Sequence, residues 1–155
     1  MVGLSVATDE DNAYYIPVGH DYEGAPKQLD RDEVLKKLKP IIEKTPLIGQ
    51  HLKFDRNVLA NYDIHLNVIE NDTMLMSYVY DPTATRHNLD AMASHYLNVK
   101  TTTFEDVAGK GVKQLTFNQI PLEKASDYAA EDADITFRCY SHLKPALAKT
   151  PSLEK

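Results

Sequence analysis

Apolar and polar positions recur at two different periods along this chain, and the change of period divides it into elements. Over Val2-Gly3-Leu4-Ser5-Val6-Ala7 large apolar residues alternate with small ones, the period of a strand. The polar stretch Thr8 to Asn12 separates it from the β-rich Ala13-Tyr14-Tyr15-Ile16-Pro17-Val18, so residues 2–18 predict a hairpin. Residues 19–30 read as loop. Val34, Leu35, Leu38, Ile41 and Ile42 then fall at helical spacing, which predicts a helix over 31–44, capped by Asp30 and carrying Pro40 inside it. Leu47-Ile48-Gly49 predicts a short buried strand. A helix follows from Leu52 to Tyr62, with Phe54, Val58 and Leu59 facing inward, and Leu66 to Ile69 predicts another short strand. Helices are expected at 72–80, 88–97 and 103–107, a flexible loop at Gly109-Lys110-Gly111, and a long last helix over 122–147 with Pro145 near its end. Strands first, then alternating elements, then mostly helices describe an α/β domain.

Composition bounds this picture without redirecting it. The 155 residues are 43% hydrophobic and 26% charged, which suits one globular domain with one sizeable core. Cys139 is the only cysteine, so no internal disulfide forms, in keeping with a reducing compartment. There is no apolar run of signal or membrane length, and the expectation is a cytoplasmic protein without membrane contact. The formal net charge is −6, whereas a nucleic-acid binder relying on charge alone would be basic. Any nucleic-acid contact must therefore be local, or assisted by metal ions that offset acidic residues.

Two stretches carry candidate chemistry. In Tyr128-Ala129-Ala130-Glu131-Asp132 a phenol and a carboxylate lie four residues apart, one turn along the same face of the last helix. Alanines around them leave room for close approach. A carboxylate there suits a hard cation, a phenol suits orienting a water, and both also suit a plain solvated acidic face. In Ile48-Gly49-Gln50-His51-Leu52-Lys53-Phe54-Asp55-Arg56 a strand ends in glycine and enters a helix. That junction, outside the carboxyl end of a strand, is where α/β proteins place ligands. Asp55, one turn into the helix, equally suits a charge complementing the helix dipole, and Lys53 and Arg56 suit either phosphate contact or solvent.

Together these stretches resemble the second and third motifs of the 3′→5′ proofreading exonuclease domain of bacterial family A DNA polymerases. The second is Gly49 to Arg56 and the third, in its tyrosine form, is Tyr128 to Asp134. Arg86-His87-Asn88-Leu89-Asp90, the run Thr103 to Gly111, and Gln114 to Ile120 are similar to segments of the same family, so the resemblance covers essentially the whole chain. It implies a ribonuclease H-like α/β fold, a mixed sheet flanked by helices, and two-metal hydrolysis of the 3′-terminal phosphodiester of single-stranded DNA. Two Mg²⁺ or Mn²⁺ ions about 4 Å apart would clamp the attacking and leaving oxygens. By the motif match Asp132 would hold the tighter metal, Asp55 the second, and Tyr128 would orient the attacking water. Gln50, His51, Lys53, Phe54, Arg86 and Phe104 would line the path of the strand, with aromatic faces for bases to stack on. Phe54 and Phe104 equally suit core positions, Arg86 a surface ion pair, and His51 stands where the family often has asparagine.

One departure dominates. The family's other two catalytic carboxylates lie in a first motif, an Asp-x-Glu on a strand upstream of the segment resembling Val2-Gly3-Leu4. Asp9-Glu10-Asp11 lies in a turn and is no substitute. The expectation is therefore an N-terminally truncated exonuclease domain, residues 1–155, lacking its first strand. Its activity would belong to a longer polypeptide that also holds the polymerase domain, in the bacterial cytoplasm at the nucleoid. Two alternatives stay open: a non-catalytic module that supports a polymerase or holds single-stranded DNA, and a ribonuclease D-like RNA exonuclease.

Overall fold

A computed structural model describes residues 1–150 together with Ser152 and Leu153. Strands β1 (Gly3–Asp9) and β2 (Asn12–Pro17) form an antiparallel hairpin that pairs Leu4 with Ile16 and Val6 with Tyr14 and shifts register between Ala7 and Asp9. Helix α1 (Arg31–Ile42) starts where Asp30 Oδ1 accepts from the Glu33 N–H at 3.0 Å, the cap read from the sequence. After β3 (Leu47–Gly49) come α2 (Leu52–Ala60), β4 (Ile69–Asp72), α3 (Thr73–Tyr80) and α4 (Leu89–Met92). A π-helical turn, Ala93–Leu97, continues α4. Helices α5 (Phe104–Ala108) and α6 (Leu122–Ala148) complete the chain. Each sheet has two strands, β1 with β2 antiparallel and β3 with β4 parallel, so strand directions are mixed in an α/β arrangement.

The chain divides into two compact units. The first comprises Met1–Lys37 and Thr102–Asp134. Its core is Ala108, Ile120 and Ala125, with Tyr15, Phe104, Val107 and Phe117 packed against them. His20, 5% exposed, accepts or donates a 2.7 Å hydrogen bond with the Tyr15 hydroxyl, and its backbone exchanges hydrogen bonds of 2.8 and 2.7 Å with the Gln28 side chain. Burial pushes the Tyr15 phenol up to about 12. Burial also lowers the His20 pKa, against the pull of the Ile120 and Asn118 backbone nearby. Neither of those contacts is a hydrogen bond of ordinary geometry to Nδ1, so burial decides the direction.

The second unit comprises Leu38–Thr101 and Ile135–Lys155. Its core is built from Met76 of α3, Met92 and Ala93, and a stripe on α6 at four-residue spacing, Ile135, Cys139, Leu143 and Leu147. Cys139 is completely buried, and burial pushes its thiol up to about 11, an inert core sulfur.

Three local expectations are corrected. Phe54 does not face inward: it is 63% exposed, while Leu52 and Leu59 are buried. The helix begins at Leu52, so residues 52 and 59, two turns apart, share the inward face, and Phe54 lies about 200° round from Leu52. The strand expected at Leu66–Ile69 lies at Ile69–Asp72 instead. Leu66 is buried as packing, but the residues that pair with β3 are Ile69, Asn71 and Asp72. The helix expected over 88–97 opens into the π turn, which closes with Val99 N–H on the Ala93 carbonyl at 3.2 Å and Asn98 in the left-handed region.

Candidate nucleic-acid and catalytic site

In the second unit the strand β3 delivers the chain into α2 through His51, which sits in the left-handed region at φ 56°, ψ 49° and gives the helix no side-chain cap. A Cβ on Gly49 would collide with the Leu52 side chain, so glycine is what lets the turn close over that leucine. The cap comes from Asp72, at the end of β4. Its Oδ1 accepts from the N–H groups of His51 (3.1 Å) and Met74 (3.0 Å), and its Oδ2 accepts from Leu52 N–H (2.8 Å). One carboxylate thus serves the first turns of both α2 and α3. Thr73, wholly buried, shares the single hydrogen of its Oγ1 between Gln50 Oε1 (2.6 Å) and the Gly49 carbonyl (3.1 Å). Gln50 Nε2 in turn donates to the His87 carbonyl at 3.0 Å. Gln50 is therefore a strut with both polar atoms engaged inside the protein, which leaves one amide hydrogen and one oxygen lone pair for a strand.

His51, Lys53, Phe54, Asp55 and Arg56 are all exposed. Burial of the carboxyl raises the Asp55 pKa, His51 pulls it down, and the Asp72 charge adds to the rise. The residue as a whole remains open to solvent, which screens these charges.

His87 lies beside Arg86 in a left-handed conformation, φ 60°. Its Nε2 donates to the Pro82 carbonyl at 3.1 Å, since a carbonyl only accepts. In the neutral ring Nδ1 then accepts from the Ser77 hydroxyl at 2.7 Å, and Ser77 accepts from the Tyr96 hydroxyl at 2.9 Å. Ser77 is wholly buried. The neighbour of this anchored residue, Arg86, is exposed and makes no ion pair among the described residues, so its guanidinium is available at the surface.

In the first unit Ala125 and Ala129 are the buried face of α6, and Tyr128 stands half-buried beside them. Its ring meets Phe104 edge-on (centroids 6.1 Å, 61°) and Phe117 at a tilt (6.2 Å, 53°). Phe104 is half-buried, part of the core and part of the surface. It opens α5 behind a capping box in which Thr103 and Asp106 satisfy each other's backbone N–H. Glu131, inside the third motif, grips the residue before that box, accepting from Thr102 N–H at 2.8 Å and from its hydroxyl at 2.9 Å. Asp132, also half-buried, lies one turn beyond Tyr128 on the same helix.

The candidate residues thus fall into two groups. Gln50, His51, Lys53, Phe54, Asp55 and Arg86 belong to the second unit, where Gln50 ties the motif to the Arg86–His87 segment. Phe104, Tyr128 and Asp132 belong to the first. Among the described residues, no three His, Cys, Asp or Glu side chains group closely enough to hold a metal ion. The carboxylate facing Asp55 is Asp72, whose oxygens are committed to three N–H groups. The donor type fits Mg²⁺ or Mn²⁺, and the number of converging donors does not. Sequence reasoning missed Asp72, Thr73, Thr102 and Glu131. Asp72 stood at the start of an expected helix and Glu131 inside a recognised motif, so both were visible as positions, but their bonding partners lie about 20–30 residues away in sequence.

Comparison with known proteins agrees with the motifs. Residues 1–148 match the family described as 3′-5′ exonuclease. DNA polymerase I of Pseudomonas aeruginosa is 53% identical over 159 aligned positions, which cover 100% of this chain and 17% of that protein. DNA polymerase I of Rhizobium leguminosarum is 34% identical over 96% of the chain and 16% of its own length. That of Borreliella burgdorferi is 35% identical over 100% of the chain and 16% of its own length. The chain thus spans only 16–17% of these curated relatives. With motifs, α/β fold and whole-chain similarity in agreement, the chain belongs to the 3′-5′ exonuclease family and is similar over its whole length to part of DNA polymerase I.

Proposed function

We propose that the chain supplies the strand-binding surface and part of the catalytic machinery for removing nucleotides from the 3′ end of single-stranded DNA, within a polypeptide that also polymerises. The observation that carries this reading is the cluster of exposed residues at the β3–α2 junction. Phe54 forgoes burial, Lys53 and His51 stand beside it, and the Gln50 strut ties the junction to the segment holding Arg86. An exposed aromatic face with nearby cations suits sequence-tolerant stacking and phosphate contact on an otherwise acidic protein. The relatives' names as DNA polymerases favour DNA over RNA as the substrate.

In this reading Phe54 and Phe104 offer faces to the terminal bases, and Lys53 and Arg86 balance phosphate charge. Tyr128, whose ring is held by two aromatic neighbours, is the proposed group that orients the attacking water. Asp55 and Asp132 are the proposed carboxylates of the reaction. The described residues do not make up a metal cage, so no step is drawn through an ion. In a longer chain that carried the family's Asp-x-Glu, that motif would add further donors for Mg²⁺ or Mn²⁺. The same shortage of converging carboxylates favours, as a second reading, a module that holds single strands without cutting them.

The test is fluorescence anisotropy with a labelled single-stranded oligonucleotide of mixed sequence. Binding that weakens with salt and is competed poorly by blunt duplex supports both readings over a purely structural module. An absence of binding at low salt contradicts both.

A further inference from the structure

Within the Proposed function, which it rests on, the strand-binding segment has an unusual support. Residues Gly49 to Leu52 make a left-handed turn at His51, a conformation that a non-glycine residue adopts only at a steric cost. Nothing on His51 itself offsets this, since its side chain caps no N–H. What stabilises the turn comes from residues 20 to 24 positions away: the Asp72 carboxylate accepts from the His51 and Leu52 N–H groups on either side of the His51 Cα, and the Thr73 hydroxyl is shared between the Gly49 carbonyl and the Gln50 side chain. The third Asp72 bond, to Met74 N–H, fixes the carboxylate to the start of α3, whose Met76 and Ser77 are buried.

We infer that Asp72 is a positioning residue for the exonuclease site: its carboxylate holds the left-handed turn that aims Lys53, Phe54 and Asp55 outward from α2. It touches no strand itself. Its charge matters because two oxygens must accept three N–H groups, which an amide cannot do. In Asp72→Asn the side-chain oxygen keeps His51 and Met74 N–H in the better of its two orientations, and the new N–H₂ then faces the Leu52 N–H. Asp72→Ala loses all three bonds.

The experiment measures amide hydrogen exchange and oligonucleotide affinity on the same three proteins, unaltered, Asp72→Asn and Asp72→Ala. Asp72→Asn is expected to speed exchange at Leu52 about tenfold or more while core amides of Met92 and Leu143 change by less than about twofold. Affinity for a single-stranded oligonucleotide is expected to weaken about three- to tenfold, because the strand must now order the segment on binding. Asp72→Ala is expected to be worse in both respects, so that the Asn variant is a partial rescue. Unchanged exchange at Leu52 in Asp72→Asn, or unchanged affinity despite faster exchange, overturns the positioning role. Exchange that speeds equally at Met92 and Leu143 also overturns it, making Asp72 a general stability element. Failure of the unaltered chain to bind any oligonucleotide overturns the Proposed function, and with it this role. That result is distinguished from the others because it appears before any substitution is made.

Discussion

Phe54 keeps 63% of its surface in solvent, while Leu52 and Leu59 on the same helix are buried. Its removal should therefore cost little stability and much affinity. Phe54→Ala is expected to change the free energy of unfolding by less than about 0.5 kcal/mol, and to weaken single-strand binding by about 1–3 kcal/mol, the worth of one stacked base. Urea melts and anisotropy titrations on one preparation separate the two. Arg86 makes a different contribution. Arg86→Ala should weaken binding and flatten its salt dependence, the signature of a lost phosphate contact. A salt slope that does not move would make Arg86 structural. Gln50 shows what a motif leaves unsaid about a residue. Its identity in the motif was legible, but the hydrogen bonds to Thr73 and His87 that occupy it depend on segments brought together only by the fold.

At the scale of elements, what was legible followed from local physics. The hairpin is specified by alternation on both sides of a polar turn, the start of α1 by Asp30, and α6 by a long helical period whose apolar stripe, Ile135 to Leu147, forms the second unit's core. Truncating that stripe should be costly: Leu143→Ala is expected to destabilise by about 2–5 kcal/mol in denaturant melts. Less legible was β4, because pairing and burial peel apart there, with Leu66 packing and Ile69 to Asp72 making the ladder. The π turn after α4 was invisible for a similar reason, since its role, setting Tyr96 against Ser77, is a tertiary one. His20 gives the first unit a pH dependence. Burial holds it neutral, so its pKa in the folded protein lies below the ordinary 6.5. Protons then bind the unfolded chain more readily, and the contribution of His20, complete above about 6.5, is lost as the pH falls. The melting temperature should drop as the pH falls below about 6.5, and His20→Gln should flatten that part of the curve. A slope unchanged by His20→Gln would place the titrating group elsewhere.

For the molecule as a whole, two features matter: a net charge of −6 and, among the described residues, two sheets of two strands each. On the proposed reading, the acidic balance leaves the attraction of single strands to local cations, Lys53 and Arg86, and not to the overall field. Among the described residues no helix is long and apolar enough to cross a membrane. Two-stranded sheets are marginal by themselves and lean on the helices packed against them. A chain joined to the upstream segment of the Pseudomonas aeruginosa polymerase, 53% identical over the shared region, should therefore melt higher if that segment adds a paired strand. Differential scanning calorimetry of the two chains side by side checks this, and equal melting temperatures would show that the added residues do not pair. The same joined chain bears on the central claim. Incubated with Mg²⁺ and a single-stranded oligonucleotide labelled at its 5′ end, it should yield a ladder that shortens one nucleotide at a time from the 3′ end. Asp132→Ala should slow that ladder by about 10²-fold or more, with strand affinity largely kept. Internal cuts, a ladder unaffected by Asp132→Ala, or no degradation at all would contradict the assignment of this chain to 3′→5′ exonuclease chemistry.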